Sequence, residues 1–229
     1  MLFEEISGQD SDATDIDCCA AFNKYAAEYD NWFNQKGRVA FATEVNAFKA
    51  ILPELSKPWL EIGAGSGRFS LALGIETGIE PSAKMAEIAR SRGVQVFVTQ
   101  GEHTPFEANS FGAVFLIVTL CFLDSPLIVL KEINRILVPD GKLVLGLVLK
   151  ESPWGKFYIQ KKKEGHRFYK YATFYSFDEI KELLLKSGFV TDSVVSTLFQ
   201  APENLNTIEE PQTGYHPAAG FTIITAKKI

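Results

Sequence analysis

The sequence is poor in the residues that build metal centres and disulfide frameworks. Only three cysteines and three histidines occur among its 229 residues. Cys18 and Cys19 are adjacent, Cys121 lies far away, and no CxxC pair occurs, so we predict neither a disulfide framework nor a metal site. This usage favours a reducing compartment. The vicinal pair leaves one alternative open, contact with a soft metal or metalloid substrate.

Long apolar runs and an excess of positive charge are also missing. The longest apolar stretch, near Ala113–Leu123, is too short to span a bilayer. The first ten residues lack a basic region followed by an apolar one, which argues against a secretory signal. The formal net charge of -5 disfavours a broad basic surface for nucleic acid. We therefore expect a cytoplasmic protein without a membrane or nucleic-acid partner, whose oligomeric state the sequence does not define.

The composition is typical of one globular domain, with 46% apolar and 22% charged residues. Residues 1–17 carry six acidic and no basic side chains, and we predict a flexible acidic leader over residues 1–19. Residues 20–229 are predicted to form a single domain. Aromatic residues at helical spacing predict an N-terminal helical lid at 20–52. The aromatic and basic stretch at 150–175 is predicted to be a second cap or lid, with a solvated amphipathic helix as the alternative.

Short apolar strands alternate with amphipathic helices along the rest of the chain. The predicted strands are residues 59–62, 76–80, 94–99, 113–119 and 142–149. This alternation predicts an α/β fold with a parallel sheet covered by helices on both faces. Two more strands, residues 189–199 and 220–227, follow without a helix between them. Such neighbours are expected to pair antiparallel.

A glycine-rich loop follows the first predicted strand, in the sequence WLEIGAGSGRF of residues 59–69. Gly63, Gly65 and Gly67 have the spacing G-x-G-x-G, whereas a dinucleotide loop requires G-x-G-x-x-G and would place its third glycine at Arg68. Glu61 lies two residues before the first glycine. A carboxylate there suits a ligand that has a cationic group and no phosphates.

This E-x-G-x-G-x-G pattern resembles the first motif of the class I S-adenosylmethionine-dependent methyltransferases, of methyltransferase type 11. Further stretches resemble the family's later motifs in the same order, namely residues 105–114, 132–143 and 176–189. One departure is Gly112, at a position where the family often has an aspartate that makes a structural contact. The resemblance covers about Leu55 to Lys227. It implies S-adenosylmethionine as cofactor and a Rossmann-like, doubly wound, seven-stranded sheet of order 3-2-1-4-5-7-6 with the last strand antiparallel.

The same resemblance implies which residues bind the cofactor. Glu80 closes the second strand, where a carboxylate accepts hydrogen bonds from ribose hydroxyls. Met85 is expected against the adenine, and the residues after the third strand are expected to contact the adenine edge. Tyr29 and Trp32 are assigned to the lid over the cofactor. The predicted cofactor-binding residues are Glu61, Gly63, Ala64, Gly65, Gly67, Glu80, Pro81, Met85, Gln100, Gly101, Glu102, Thr119, Tyr29 and Trp32.

The predicted function is S-adenosylmethionine-dependent methyl transfer to a small-molecule acceptor. Two alternatives stay open at this point, a nicotinamide-dependent oxidoreductase and a non-catalytic module that binds the cofactor. Neither the acceptor nor its reacting atom follows from the residues.

No catalytic residue is assigned from the sequence. The three candidate bases are His103, His166 and His216, all in predicted loops. His216 is placed in the loop that should return over the active face. Cys121, at the end of the fourth predicted strand, is interpreted as a buried thiol rather than as a nucleophile.

Overall fold

The structure is a computed structural model that describes residues 17–229. The acidic leader predicted for residues 1–19 therefore lies outside the described residues, apart from its last three positions. Those positions form the start of the first helix. Asp17 is its N-cap, since the Asp17 Oδ1 accepts a hydrogen bond from the Ala20 backbone N–H at 2.7 Å.

Three helices precede the first strand: α1 (Cys18–Lys24), α2 (Ala26–Trp32) and α3 (Arg38–Ile51). The aromatic spacing predicted helix from residue 20 onward, but the structure divides this helix at Tyr25, whose φ of -112° and ψ of 21° depart from helical values. Gly37 separates α2 from α3. A Cβ at Gly37 would collide with the ring of Trp32. The close packing of this ring on the backbone therefore requires glycine here.

A single mixed sheet forms the centre of the molecule. Its strands are β1 (Trp59–Ile62), β2 (Thr77–Ile79), β3 (Gln95–Phe97), β4 (Phe111–Ile117), β5 (Leu137–Leu147), β6 (Phe189–Thr197), β7 (Gln212–Thr213) and β8 (Phe221–Lys228). The strand order is β3-β2-β1-β4-β5-β8-β6-β7. β1 to β5 pair in parallel, and β8 runs antiparallel to both β5 and β6. The predicted Rossmann-like order is confirmed, with the two-residue β7 as an addition at the edge beside β6.

The remaining helices connect these strands. They are α4 (Arg68–Leu73), α5 (Ala83–Ser91), α6 (Pro126–Ile136), α7 (Pro153–Lys163) and α8 (Phe177–Lys186), with single 3-10 turns at Leu52–Glu54, Leu120–Phe122 and Tyr169–Tyr171. Ser82 caps α5, since its hydroxyl accepts a hydrogen bond from the Met85 N–H at 3.3 Å. Ser176 and Glu179 form a reciprocal capping box at the start of α8.

The core lies on both faces of the central strand β4, all of whose residues are buried. Val114 and Leu116 belong to the apolar cluster formed with α6 and α8. Phe115 and Ile117 belong to the opposite cluster, formed with α3, α4 and β8. A strand buried on both faces is apolar at every position, which accounts for the longest apolar stretch of the sequence. Among residues 17–229, no helix combines the length and apolar character needed to cross a membrane.

β5 begins at Leu137, before the strand predicted for residues 142–149. It pairs with β4 at Leu137 and again from Lys142 onward, while the residues between bulge out of the ladder. Within this bulge, Asp140 has a φ of 64°. The predicted strand is therefore confirmed for residues 142–147 and starts earlier than predicted.

Gly112 lies where the backbone before β1 crosses β4. Its N–H donates a hydrogen bond to the Pro58 carbonyl at 2.9 Å. A side chain at this position would collide with the backbone carbonyl of Ser56. Glycine therefore replaces the family's aspartate at position 112 because the two segments pass too close together for a side chain.

Candidate active site

Two cavities adjoin each other at the carboxyl ends of the parallel strands, which is where open α/β sheets bind their ligands. The wide cavity has a volume of about 550 Å³, and its lining includes Gly63, Glu80, Met85, Gln100, Gly101 and Thr119. The aromatic cavity has a volume of about 110 Å³, and its lining includes Tyr29, Trp32, Glu44, Tyr158, Tyr169 and Phe174. Gly63, Val118 and Tyr29 line both, so the two cavities form one continuous site.

The glycine loop separates β1 from α4 and borders both cavities. Gly63 and Gly65 have φ values of 75° and 55°, which lie in the left-handed region. The Gly63 N–H donates a hydrogen bond to the Ile79 carbonyl at 2.8 Å, so the loop is held to the end of β2. A Cβ at Gly63 would collide with the side chain of Thr119. Glycine is therefore required here both for backbone conformation and for space.

Glu80 holds the glycine loop in place from the end of β2. Its Oε2 accepts a hydrogen bond from the Gly65 N–H at 2.8 Å, and its Oε1 accepts one from the Ser82 N–H at 2.8 Å. Burial raises the pKa of this carboxyl, while the two backbone N–H groups act in the opposite direction. Each carboxylate oxygen can accept a further hydrogen bond, and Glu80 lines the wide cavity. The sequence pointed to Glu80 as a ligand residue, but its anchoring of the loop was not predicted.

Glu61 is 1% exposed at the end of β1 and lines the aromatic cavity. Burial raises the pKa of its carboxyl to about 8, and the hydrogen bond from the Ser70 hydroxyl opposes this rise. Its contact with α4 therefore gives Glu61 a structural role beside the predicted one.

An ion-pair network joins the N-terminal helices to the loop. Asp30 of α2 accepts hydrogen bonds from Arg68 Nε at 2.8 Å and from Arg92 Nη2 at 2.7 Å. Arg92 also donates to the Ser66 carbonyl at 2.6 Å. Burial opposes ionisation of Asp30, but the hydrogen bonds from both arginines and Ser66 hold its pKa well below the usual range. Sequence reasoning missed Asp30, because its partners lie 38 and 62 residues further along the chain.

We expect Asp30→Asn to lower the free energy of unfolding by about 2 kcal/mol, because two partly buried guanidinium groups lose their counter-charge. Chemical denaturation checks this value. The matched control is Glu28→Gln on the same helix, whose surface ion pair with Arg167 should be worth less than about 1 kcal/mol. Equal effects of both variants would contradict the proposed importance of the network.

The structure brings most of the predicted cofactor residues together. The wide cavity is lined by Tyr29, Gly63, Gly65, Glu80, Pro81, Met85, Gln100, Gly101, Glu102 and Thr119. Glu61, Ala64 and Trp32 line the aromatic cavity. Gly67 is not among the described residues that line either cavity. A Cβ there would approach the Ala89 Cβ to 2.9 Å, so this glycine permits α4 to pack closely beside α5.

The three histidines lie in different surroundings. His103 is exposed, and His216 is not among the described lining residues of either cavity. His166 lines the aromatic cavity, and its Nδ1 accepts hydrogen bonds from the N–H groups of Phe168 and Tyr169 at 3.3 and 3.4 Å. Burial and then the nearby Arg167 lower its pKa to about 4. Its ring is therefore neutral at pH 7 with the proton on Nε2, so it is a donor rather than a base.

The thiols around the site are protonated at neutral pH. Cys18 and Cys19 line the wide cavity, and Cys121 lines the aromatic cavity. Burial raises the pKa of Cys18 and of Cys121 to about 12, which argues against Cys121 as a nucleophile, although its side chain is only half-buried. Within residues 17–229, no group of three or more potential ligands is arranged to hold a metal ion.

The aromatic and basic segment after β5 covers the site from one side. In α7, Trp154 and Tyr158 are buried. Beyond α7, the ring of Phe168 stacks on that of Phe22 with centroids 4.9 Å apart, and Arg167 pairs with Glu28 at 2.6 Å. The segment therefore contacts α1 and α2 directly above the cavities. The lid function assigned to both segments stays a prediction.

Comparison with known proteins gives consistent matches. A family model described as a methyltransferase domain matches residues 60–145. The chain is 37% identical over 215 residues to an uncharacterized protein of Mycobacterium tuberculosis, covering 93% of this chain and 75% of that protein. It is 35% identical over 208 residues to an uncharacterized protein of Methanocaldococcus jannaschii, covering 91% and 98%. A crystal structure of an S-adenosylmethionine-dependent methyltransferase from Thermotoga maritima is 40% identical, has a TM-score of 0.86 and is matched over 93% of this chain and 100% of that chain.

The fold and the glycine loop define a Rossmann-like methyltransferase domain. With these matches, the chain belongs to the class I S-adenosylmethionine-dependent methyltransferases. Its cofactor is accordingly S-adenosylmethionine, which decides against the nicotinamide-dependent alternative. Arg68 stands at the position where a dinucleotide-binding loop has its third glycine, and it forms an ion pair with Asp30.

The site suits this cofactor. The glycine loop and the Glu80 carboxyl both line the wide cavity. Ile79 and Met85 supply apolar surface for a planar base. The individual binding roles stay predictions.

Proposed function

We propose that the protein transfers a methyl group to a small-molecule acceptor bound in the aromatic cavity. One observation carries the proposal: this cavity meets the wide cavity at Gly63, Val118 and Tyr29. A ligand that extends from Glu80 past the glycine loop reaches the junction. With a volume of about 110 Å³ and mainly aromatic walls, the aromatic cavity suits a small, largely apolar acceptor group.

The bound cofactor supplies a methyl group activated by its sulfonium. The chain's own contribution is alignment and exclusion of water. Gly63 and Gly65 shape the glycine loop. The hydrogen bond from the Gly65 N–H to the Glu80 carboxylate holds this loop at a fixed distance from the end of β2. The aromatic walls would hold the acceptor beside the place where the two cavities meet, and the cofactor, when bound in the wide cavity, would supply the methyl group there. Such alignment contributes up to roughly 7–11 kcal/mol to a reaction barrier, so the proposal does not require a dedicated base.

Two related proteins are named for small acceptors, whereas a relative named as a probable tRNA methyltransferase matches only 37% of this chain. The Thermotoga maritima protein is described as a possible histamine N-methyltransferase. A demethylmenaquinone methyltransferase of Staphylococcus aureus is 27% identical over 169 residues, covering 60% of this chain. Both named acceptors are small molecules, and the former protein matches this chain more closely.

Calorimetry and methyl-transfer assays test the proposal in sequence. We expect micromolar to submicromolar binding of S-adenosylhomocysteine, followed by transfer of labelled methyl groups to members of a panel of amines, phenols and thiols. Unmodified tRNA and a protein lysate serve as polymer controls. Transfer to a polymer with no transfer to small molecules would overturn the acceptor class. Cofactor binding without any transfer would favour the non-catalytic module.

A further inference from the structure

One titratable side chain in the aromatic cavity has no role in the proposed function. Glu44 lies on α3 and lines this cavity. Burial raises the pKa of its carboxyl to about 8, and no hydrogen bond or charge in the described chain counteracts the rise. Glu44 is half-buried, and a carboxyl that lines a cavity without a partner in the described chain points to a ligand.

The other charged groups of the cavity do not neutralise Glu44. Arg68 is the one arginine or lysine among the described lining residues, and it is bound to Asp30. His166 is neutral at pH 7, as shown above. Glu61 is a second carboxyl, already hydrogen-bonded by Ser70. At pH 7 the raised pKa values keep both carboxyls largely protonated before a ligand binds, and a bound cation would favour the ionised form of Glu44.

The walls around Glu44 are aromatic. The rings of Tyr158 and Tyr169 lie with centroids 4.4 Å apart, and that of Phe174 is parallel to Tyr158 within 9°. Tyr29 and Trp32 complete the wall from α2. The faces of such rings attract cations, and they do so more strongly in a site shielded from water. A carboxylate among aromatic faces is an arrangement that selects an ammonium group.

We propose that Glu44 and the surrounding aromatic rings form the acceptor-binding subsite, and that the acceptor is a small organic amine bound through its ammonium group. This inference rests on the proposed function, because it names the class of acceptor for the same site. Ionised Glu44 gains its missing counter-charge from the ligand. The aromatic rings shield that pair from water and contact the amine's carbon atoms.

The test compares the wild type with Glu44→Gln on pairs of acceptors that match in shape, each an amine and its alcohol analogue. We expect the wild type to methylate amines, and Glu44→Gln to raise the KM for the amine about 10- to 100-fold. The expected kcat stays within a few-fold, and the affinity for S-adenosylhomocysteine within two-fold. Glu182→Gln, on the exposed face of α8, is the matched control and should leave all these constants unchanged.

Stability provides a readout that separates ligand binding from a structural role. The pKa of Glu44 in the folded protein lies above the ordinary value of 4.5, so its contribution to stability falls as pH rises from about 4.5 to 8. Glu44→Gln removes that loss, and its Tm at pH 8 without ligand should equal or exceed that of the wild type. A clear decrease in Tm would overturn the inference in favour of a structural role.

Two further outcomes distinguish the inference from the proposed function. If Glu44→Gln weakens S-adenosylhomocysteine binding and leaves the KM of the acceptor unchanged, Glu44 contacts the cofactor's own ammonium group, and the inference is wrong. If the wild type methylates only uncharged acceptors, the amine class is wrong while small-molecule methyl transfer stands. Absence of any cofactor binding by the wild type would instead refute the proposed function.

Discussion

Gly63→Ala is expected to lower the affinity for S-adenosylhomocysteine at least about 100-fold and to reduce methyl transfer to a comparable extent. The added Cβ collides with the side chain of Thr119, which lies two residues beyond the end of β4. Gly63 and Thr119 both line the wide cavity, so relief of this collision changes the cavity wall. Gly63 also has a φ of 75°, so alanine adds roughly 1–2 kcal/mol of backbone strain, and overpacking adds about 1–3 kcal/mol.

Gly74→Ala separates these two causes. Gly74 ends α4 with a φ of 73°, nearly that of Gly63, but a Cβ there meets nothing within 4 Å. This control should lose about 1 kcal/mol of stability through backbone strain and keep the cofactor affinity. Calorimetry and denaturant unfolding of both variants give the comparison. If Gly63→Ala binds the cofactor as tightly as Gly74→Ala does, the collision with Thr119 does not affect cofactor affinity, and the explanation is wrong.

Glu80→Ala is expected to weaken cofactor binding about 100-fold, for two reasons that act together. The variant removes the predicted acceptor of the ribose hydroxyls. It also leaves the N–H groups of Gly65 and Ser82 without their acceptor, at about 1–3 kcal/mol each where water cannot replace it. The single substitution therefore removes both the hydrogen bond that holds the glycine loop and the predicted contact with the cofactor.

Glu80→Gln gives the intermediate case, because its amide oxygen accepts from one of the two N–H groups while its NH₂ cannot accept from the other. We expect about a 10-fold loss of affinity for this variant. Glu76→Ala is the control: this exposed residue lies just before the opposite end of β2, and its affinity should equal that of the wild type. Unchanged binding by Glu80→Ala would refute the ribose role.

The strand–helix alternation predicted most of the fold because it depends on local periodicity. A strand buried on both faces, such as β4, is a continuous apolar run in the sequence. The start of a capped helix such as α5 is indicated by its N-cap residue, Ser82. The division of the N-terminal helix at Tyr25 and the early start of β5 were missed. Both depend on contacts with distant segments, which override local preference.

The same distinction applies to the site. The glycine loop and Glu80 were recognisable because conformation and position along the strand restrict them. Asp30 and Glu44 carried no such signal, since each lies on an N-terminal helix with the ordinary pattern of an amphipathic surface. Their importance follows from what the fold places beside them, two arginines for Asp30 and an aromatic cavity for Glu44.

The sequence by itself determined the class of fold, the place of the glycine loop and, through its ordered motifs, the cofactor. Those features follow from residue spacing within short segments, where backbone geometry restricts the choice of amino acid. Only the tertiary structure decided that α2 is tied to the loop through Asp30 and that the carboxyl of Glu44 enters a cavity without a counter-charge. Burial and electrostatics depend on which distant segments fold together, and spacing along the chain does not encode that directly.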